Sequence, residues 1–333
     1  MCIRDRKSIG VLGSGSWATA LVKILSENTS NINWYIRNSD IIEQMKTDKK
    51  NPKYLSYVDL NLNKLHISSE IDQIIQESDI IIIAIPSPFI ESSLISSKKL
   101  LSNKFLVSAS KGIIPESFLT ISEHLNQEYN IPKKNLAIIS GPSHAEEVAQ
   151  EKLTYLTVGT KNSKLGKYIS ELLKTKYIIS TVSNDMIGIE YSSSLKNIYS
   201  IMVGIAHGLG YGDNFLSVLI SHCSKEMSDF IKDVHKTSRK INQSAYLGDL
   251  LVTTYSSFSR NRTFGNMIGK GYSIKSAKAE MNMIVEGYYA TKNAFMLSKK
   301  LSTKFLIIDF CYKILFENKS ASRQMKELSK NLY

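Results

Sequence analysis

Five short stretches carry residue types whose spacing could do chemistry. Near the N-terminus Ile9 to Ala20 reads IGVLGSGSWATA, with the pattern Gly13-x-Gly15-x-x-Ala18 between an apolar strand and an alanine-containing helix start. In such a turn the first glycine allows the sharp bend, the second lets backbone approach a pyrophosphate, and the third small residue lets helix pack on strand. The unsatisfied amides of the helix start then face the phosphates. In the C-terminal half, Glu190-Tyr-Ser-Ser-Ser-Leu-Lys196-Asn197 places a lysine among small and apolar residues. Lysine is ordinarily a surface residue, yet Leu195, Ile198, Ile201, Met202 and Ile205 mark most of this helix as buried. Gly248-Asp249-Leu250 sets an acid after a turn, where capping a helix is the plainer alternative. Ser259-Arg260-Asn261-Arg262 is a compact set of donors suited to a phosphate, and Val285-Glu286-Gly287 follows.

The elements that must position these residues follow from periodicity. A second strand over Asn31 to Ile36 gives the glycine turn its required context. An acid at the end of that strand would bond the ribose of NAD, whereas a base accommodates the 2′-phosphate of NADP. Arg37 stands there, which favours NADP, while the nearby Asp40 leaves NAD open. Further strands are expected at Leu65 to Ser68, Asp79 to Ile85, Phe105 to Ala109, Leu136 to Ser140, Tyr155 to Gly159 and Tyr177 to Ser180. Helices are expected around Asp40 to Lys46, Ile71 to Glu77, Ile90 to Leu101, Ser117 to Tyr129 and Ser163 to Lys174. This alternation reads as one doubly wound α/β sheet, Rossmann-like, with polar loops at its carboxyl edge, where ligands of open sheets bind. From Asp185 the texture becomes helical: Met186 to Gly208, Phe215 to Thr237, Ile268 to Met281, Val285 to Lys300 and Thr303 to Phe316. The expected division is a dinucleotide-binding domain over 7–184 and an all-α substrate and catalytic domain over 185–333.

Composition excludes several classes. The chain has 333 residues, 43% hydrophobic and 22% charged, which fits an ordinary globular protein with two domains. The longest strongly apolar run, Ile80 to Ile85, is too short to cross a bilayer. The opening MCIRDRK is basic but has no apolar core of a secretory signal, so those first residues read as a dispensable extension or a misassigned start. Cys2, Cys223 and Cys311 are odd in number and far apart, which predicts reduced thiols in the cytoplasm; no histidine or cysteine spacing suggests a metal. The formal net charge of +12 is spread along the chain. It suits attraction of anionic small molecules better than a nucleic-acid surface.

In order and spacing, GSGSWATA, NPKYL, SASKG, ISGPSHA, SLKN, GDLLVT, SRNR followed by FG, and VEG followed by Tyr288 resemble the bacterial-type NAD(P)-dependent glycerol-3-phosphate dehydrogenases, over nearly the whole chain from Ile9 to about Phe316. The resemblance implies reversible reduction of dihydroxyacetone phosphate to sn-glycerol 3-phosphate for glycerophospholipid synthesis, in a cytoplasmic homodimer without bound metal. It makes Lys196 the catalytic lysine, Asp249 its catalytic or substrate-orienting partner, and Lys111 a substrate and cofactor contact. Gly141 and Ser143 become the substrate turn, and Ser259, Arg260 and Asn261 the phosphate cluster. Gly13, Gly15, Ser16, Trp17, Arg37, Tyr54, Ala145, Arg260, Ile284 and Glu286 become cofactor positions. Such a reaction needs a proton donor at the carbonyl oxygen, and lysine, at about 10.4 when free, must be lowered by burial and nearby cations, for which Lys111 and Arg260 are the candidates, to exchange near neutrality. A related hydroxyacid dehydrogenase and a non-catalytic NADP-binding sensor are the alternatives; the phosphate cluster argues against the first and the combination of Lys196, Asp249 and Arg260 against the second. His144 and His207 are expected to pack in a loop and in the core or a cleft.

Overall fold

The computed structural model describes residues 7–115, 117–281 and 283–332; Cys2 and the rest of the opening segment lie outside them. The chain divides into two compact units, Met1–Ser110 with Ile121–Met186, and Lys111–Thr120 with Ile187–Tyr333. Lys111 and the nine residues after it therefore belong with the helical unit, although they follow a strand of the sheet.

In the first unit eight strands, β1 (Ile9–Leu12), β2 (Ile32–Tyr35), β3 (Leu65–Ser68), β4 (Ile80–Ile83), β5 (Phe105–Ser108), β6 (Leu136–Ser140), β7 (Thr154–Thr160) and β8 (Ile178–Ser183), form one sheet. Their order is β3-β2-β1-β4-β5-β6-β7-β8. Neighbours run parallel except β6 and β7. β1 and β4 are buried at every residue, as runs such as IIII require of a strand covered on both faces. The strand order reverses direction at β1, and with β1, β4, β5 and β6 all parallel, the loops after them share one edge. The helix Ser16–Asn28 covers the sheet with Ala18, Leu21, Val22 and Leu25, an i, i+3, i+4, i+7 stripe. The helix expected over Ile90 to Leu101 is instead broken into Ile90–Leu94 and Lys98–Leu101 by the 3-10 turn Ile95–Ser97. The one expected from Ser117 begins only at Ile121, because Ile113 and Thr120 pair as an antiparallel bridge that keeps Ser117 to Leu119 out of the helix.

In the second unit the 23-residue helix Met186–Gly208 is the axis, buried along nearly its whole length, its polar Glu190, Lys196 and Asn197 included. Around it lie Asp213–Val234, Asp249–Tyr255, Arg260–Gly269, Ile274–Glu280, Glu286–Ser298, Leu306–Phe316 and Ala321–Lys330. The expected helix Ile268 to Met281 is two helices, parted at Lys270 to Ser273, where Gly271 takes φ +96°. Cys223 and Cys311 are buried free thiols. Among the described residues no helix is long and apolar enough to cross a membrane.

Candidate active site

The glycine turn of the first unit is fixed by three side chains. Trp34 of β2 donates its indole N–H to the Gly13 carbonyl at 2.7 Å. Asn51 donates to the Ser14 carbonyl at 3.0 Å and to Thr19 Oγ1 at 2.9 Å, while its own carbonyl accepts from the amides of Lys53 and Tyr54. Thr19 in turn donates to the Gly15 carbonyl at 3.1 Å. Gly13 adopts φ +125°, and a Cβ there would lie 2.5 Å from the Ala84 carbonyl oxygen, so no other residue fits. Gly15 is the opposite case, with open space where its Cβ would be. The helix that starts at Ser16 has no side-chain cap and no acid in its first turn. Free amides beside open space fit a dinucleotide pyrophosphate. Ser16 is buried, Trp17 partly so with its indole N–H lacking a partner, and Tyr54 is half-buried. Arg37 is exposed beyond β2, close enough to Tyr35 for its charge to act on that phenol. Asn38 caps the following helix, accepting from Asp40 N at 2.7 Å, so Asp40 sits in a helical first turn.

At the end of β6, Gly141 takes φ +124°, where a Cβ would meet the Tyr155 carbonyl at 2.6 Å. Ser143 Oγ donates to the Gly141 carbonyl at 2.9 Å, closing the turn. His144 and Ala145 then open the short helix Ala145–Ala149.

In the second unit a buried ion pair joins Lys196 Nζ to Asp249 Oδ1, with 3% and 0% of the two residues exposed. Asp249 does not cap a helix after a turn. A π-turn, Ser244–Gly248, runs directly into the helix Asp249–Tyr255, with Gly248 itself at helical φ −61° and ψ −44°. This places Asp249 inside continuous helix, facing the lysine, as π-turns often do at functional sites. The second carboxylate oxygen, Oδ2, is buried and has no partner. Burial lowers the Lys196 ammonium to about 7; the Asp249 charge opposes this and the nearby Lys111 charge reinforces it. The candidate cation Lys111 thus acts on Lys196. Arg260, the second cation expected to lower it, is not among the groups acting on Lys196 and is exposed.

The phosphate cluster reaches the lysine helix through a close crossing. Gly204 and Gly208 of Met186–Gly208 face Gly265 and Gly269 of Arg260–Gly269, and a Cβ on any of the four would press into the other helix's backbone. Only glycines four apart on both helices let the axes approach so closely. Ser259 caps the second helix, accepting from Arg262 N at 3.3 Å, and its hydroxyl also bonds Ser200 Oγ at 2.9 Å. Its side chain therefore shapes the helix start. Asn261 is buried and accepts from Gly287 N at 2.9 Å, which leaves its amide NH₂ as the donating end. Arg262 has a buried Nε without a partner. Glu286 opens the helix Glu286–Ser298 and accepts from Asn197 Nδ2 at 3.2 Å; Ile284, just before it, is half-buried.

The remaining expectations fall elsewhere. His207 is exposed at the end of its helix, its Nδ1 paired with Asn266 Nδ2 at 2.6 Å across the glycine crossing, and is not a core side chain. Among the described residues no group of three or more His, Cys, Asp or Glu could hold a metal. A groove of about 550 Å³ beside Asp213–Val234, lined by Ser221, Lys225, Asp229, Leu247 and Tyr255 among others, contains none of the candidate residues. Asn51 and the two glycine pairs escaped the sequence reading, although NPKYL and the G-x₃-G spacings at 204–208 and 265–269 were visible signals.

A glycine turn opening on space at the carboxyl edge of a doubly wound sheet, in a chain that also buries a lysine against a carboxylate, defines a dinucleotide-linked oxidoreductase acting on a small molecule. Family models for the N- and C-terminal parts of NAD-dependent glycerol-3-phosphate dehydrogenase match residues 8–166 and 185–326. A glycerol-3-phosphate dehydrogenase [NAD(P)+] of Staphylococcus aureus is 34% identical over 325 residues, covering 96% of this chain and 97% of that protein. The crystal structure of glycerol-3-phosphate dehydrogenase from Coxiella burnetii superimposes with TM-score 0.90 at 28% identity, over 97% of this chain and 98% of that one. A Plasmodium falciparum glycerol-3-phosphate dehydrogenase shares the fold with TM-score 0.85 at 23% identity, over 96% and 94%. The chain belongs to the NAD(P)-dependent glycerol-3-phosphate dehydrogenase family.

Proposed function

We propose that this chain reversibly reduces dihydroxyacetone phosphate to sn-glycerol 3-phosphate with NADPH or NADH, supplying glycerophospholipid synthesis. The observation that carries the reading is the buried Lys196–Asp249 pair, with Lys111 acting on it and Asn261 tied to the same set of helices. When bound, the nicotinamide supplies the hydride. Lys196 gives its proton to the carbonyl oxygen, and a lysine lowered toward neutrality can do so and be reloaded at cellular pH. Asp249 holds the lysine in one orientation and offers its unpartnered Oδ2 to a substrate hydroxyl. Arg260 and the Asn261 amide hold the phosphate, which fixes the ketone in one pose; Ser259 builds the helix start that presents them.

The backbone at Gly13 and Gly15 and the start of the helix at Ser16 take the pyrophosphate, supported by Trp17, Tyr54, Ala145, Ile284 and Glu286, with Arg37 favouring NADP. Gly141 and Ser143 are assigned to substrate. We take the dinucleotide domain as 7–184 without Lys111–Thr120, and the substrate domain as 185–333 together with that segment. We place the enzyme in the cytoplasm as a homodimer. The test is oxidation of NADPH and NADH with dihydroxyacetone phosphate against unphosphorylated dihydroxyacetone. Turnover confined to the phosphorylated ketone is expected. Folded, NADPH-binding protein that oxidises neither cofactor would refute the assignment.

A further inference from the structure

Lys111 is held by a small closed loop. Gly112, at φ +124°, turns the chain immediately after it. Ile113 then bridges Thr120, Ile114 N donates to the Leu119 carbonyl at 2.9 Å, and Ile113 and Ile114 are buried. These bonds make the loop a unit, but within itself. One side-chain anchor to the helices is Asn293, 2% exposed on Glu286–Ser298, whose Nδ2 donates to the Ile113 carbonyl at 3.0 Å. A carbonyl only accepts, so the amide must present its NH₂ there. The same helix receives Asn197 at Glu286 and Asn261 at Gly287. One helix thus touches the lysine helix, the phosphate cluster and the Lys111 loop.

We propose that Asn293 is a positioning residue: by holding the Ile113 carbonyl it fixes the Lys111 ammonium beside Lys196. The inference rests on Lys196 being the proton donor. The charged groups acting on Lys196 are Asp249, which favours the ammonium, and Lys111, which disfavours it. Coulomb repulsion falls with distance, so a loop released from Asn293 lets Lys111 relax away. Lys196 then keeps its proton to higher pH, and ketone reduction persists further into alkali.

The experiment compares pH profiles of dihydroxyacetone phosphate reduction in the full-length enzyme, Lys111→Met, Asn293→Leu and the double variant. Asn293→Leu keeps the branching at Cγ and removes the donor. Lys111→Met is expected to move the falling limb up by about 1 pH unit or more. Asn293→Leu is expected to move it in the same direction. The double variant is expected to match Lys111→Met, since both act through one group, and Asn293→Gln to restore part of the native profile. Uniform loss of rate with an unmoved limb, or a shift that adds to that of Lys111→Met, would overturn the inference. Should Asn293→Leu fail to fold, Asn293→Ser, too short to reach the carbonyl, is read the same way. A limb unmoved by Lys111→Met would overturn the reading of the lysine pair, and this inference with it.

Discussion

Replacing Asp249 by asparagine keeps the shape beside Lys196 and removes its counter-charge. In the native enzyme Lys196 is lowered to about 7, with Asp249 acting against that fall. With the ammonium as the proposed donor in ketone reduction, reduction should be full below this pKa and drop tenfold per pH unit above it, while alcohol oxidation, which would need the neutral amine, should rise through the same value. An opposite charge in contact is worth about 1–3 pKa units. Its loss should carry the reductive limb down by about that much. On the falling limb the protonated fraction at a given pH would drop about tenfold for each unit of that shift, which predicts at least a fivefold loss of reductive kcat there beyond any effect on orientation. The assay is initial rate against pH, from about 5.5 to 9.5, in both directions at saturating substrate, with NADPH binding by fluorescence as the folding control. A reductive limb that stays in place or moves upward in Asp249→Asn would refute the electrostatic reasoning.

Arg260→Ala should raise KM for dihydroxyacetone phosphate by about tenfold or more, since a charge-assisted hydrogen bond is worth about 1.5–3 kcal/mol, and should abolish competition by inorganic phosphate; an unchanged KM would move the phosphate site. Gly265→Ala sets a methyl against the Ile201 carbonyl in the helix crossing and should cost about 1–3 kcal/mol, read as a lower melting temperature; an unchanged melt would mean the helices part freely. Burial pushes the Glu226 carboxyl up to about 8, against the pull of the Ile307 and Ile308 amides it caps and of Tyr199, with Asp229 adding to the rise. The folded state therefore holds this proton more tightly than the unfolded chain, a stabilisation present below about 4.5 and lost as pH rises through about 8. Native enzyme should melt lower at pH 9 than at pH 5, and Glu226→Gln should flatten that slope; an equal slope in both would assign it to other groups.

The fold was legible wherever a residue pattern had one physical solution. Four buried isoleucines in β4 could only be a covered strand, and Gly13 could only be a turn pressed against the Ala84 carbonyl. Lys196 stood out because its helix neighbours left it no surface. What stayed hidden depends on contacts between distant segments. A π-turn, which put Asp249 inside a helix, has no periodic signature in five residues. Asn51 and Asn293 resemble loop and surface polar residues until the backbone groups they bind are in place. The helix expected from Ser117 starts only at Ile121, because the bridge of Ile113 to Thr120, a contact between segments, overrides the local pattern.

The account turns most directly on Lys196→Met, measured as single-turnover NADPH oxidation at saturating dihydroxyacetone phosphate, with binding of each ligand followed separately. Removing the proton donor should slow the chemical step by a factor of about 10² to 10⁴ while NADPH binds as in the native enzyme. A variant that turns over at a comparable rate, with the pH limbs intact, would contradict the claim that this buried lysine carries the proton.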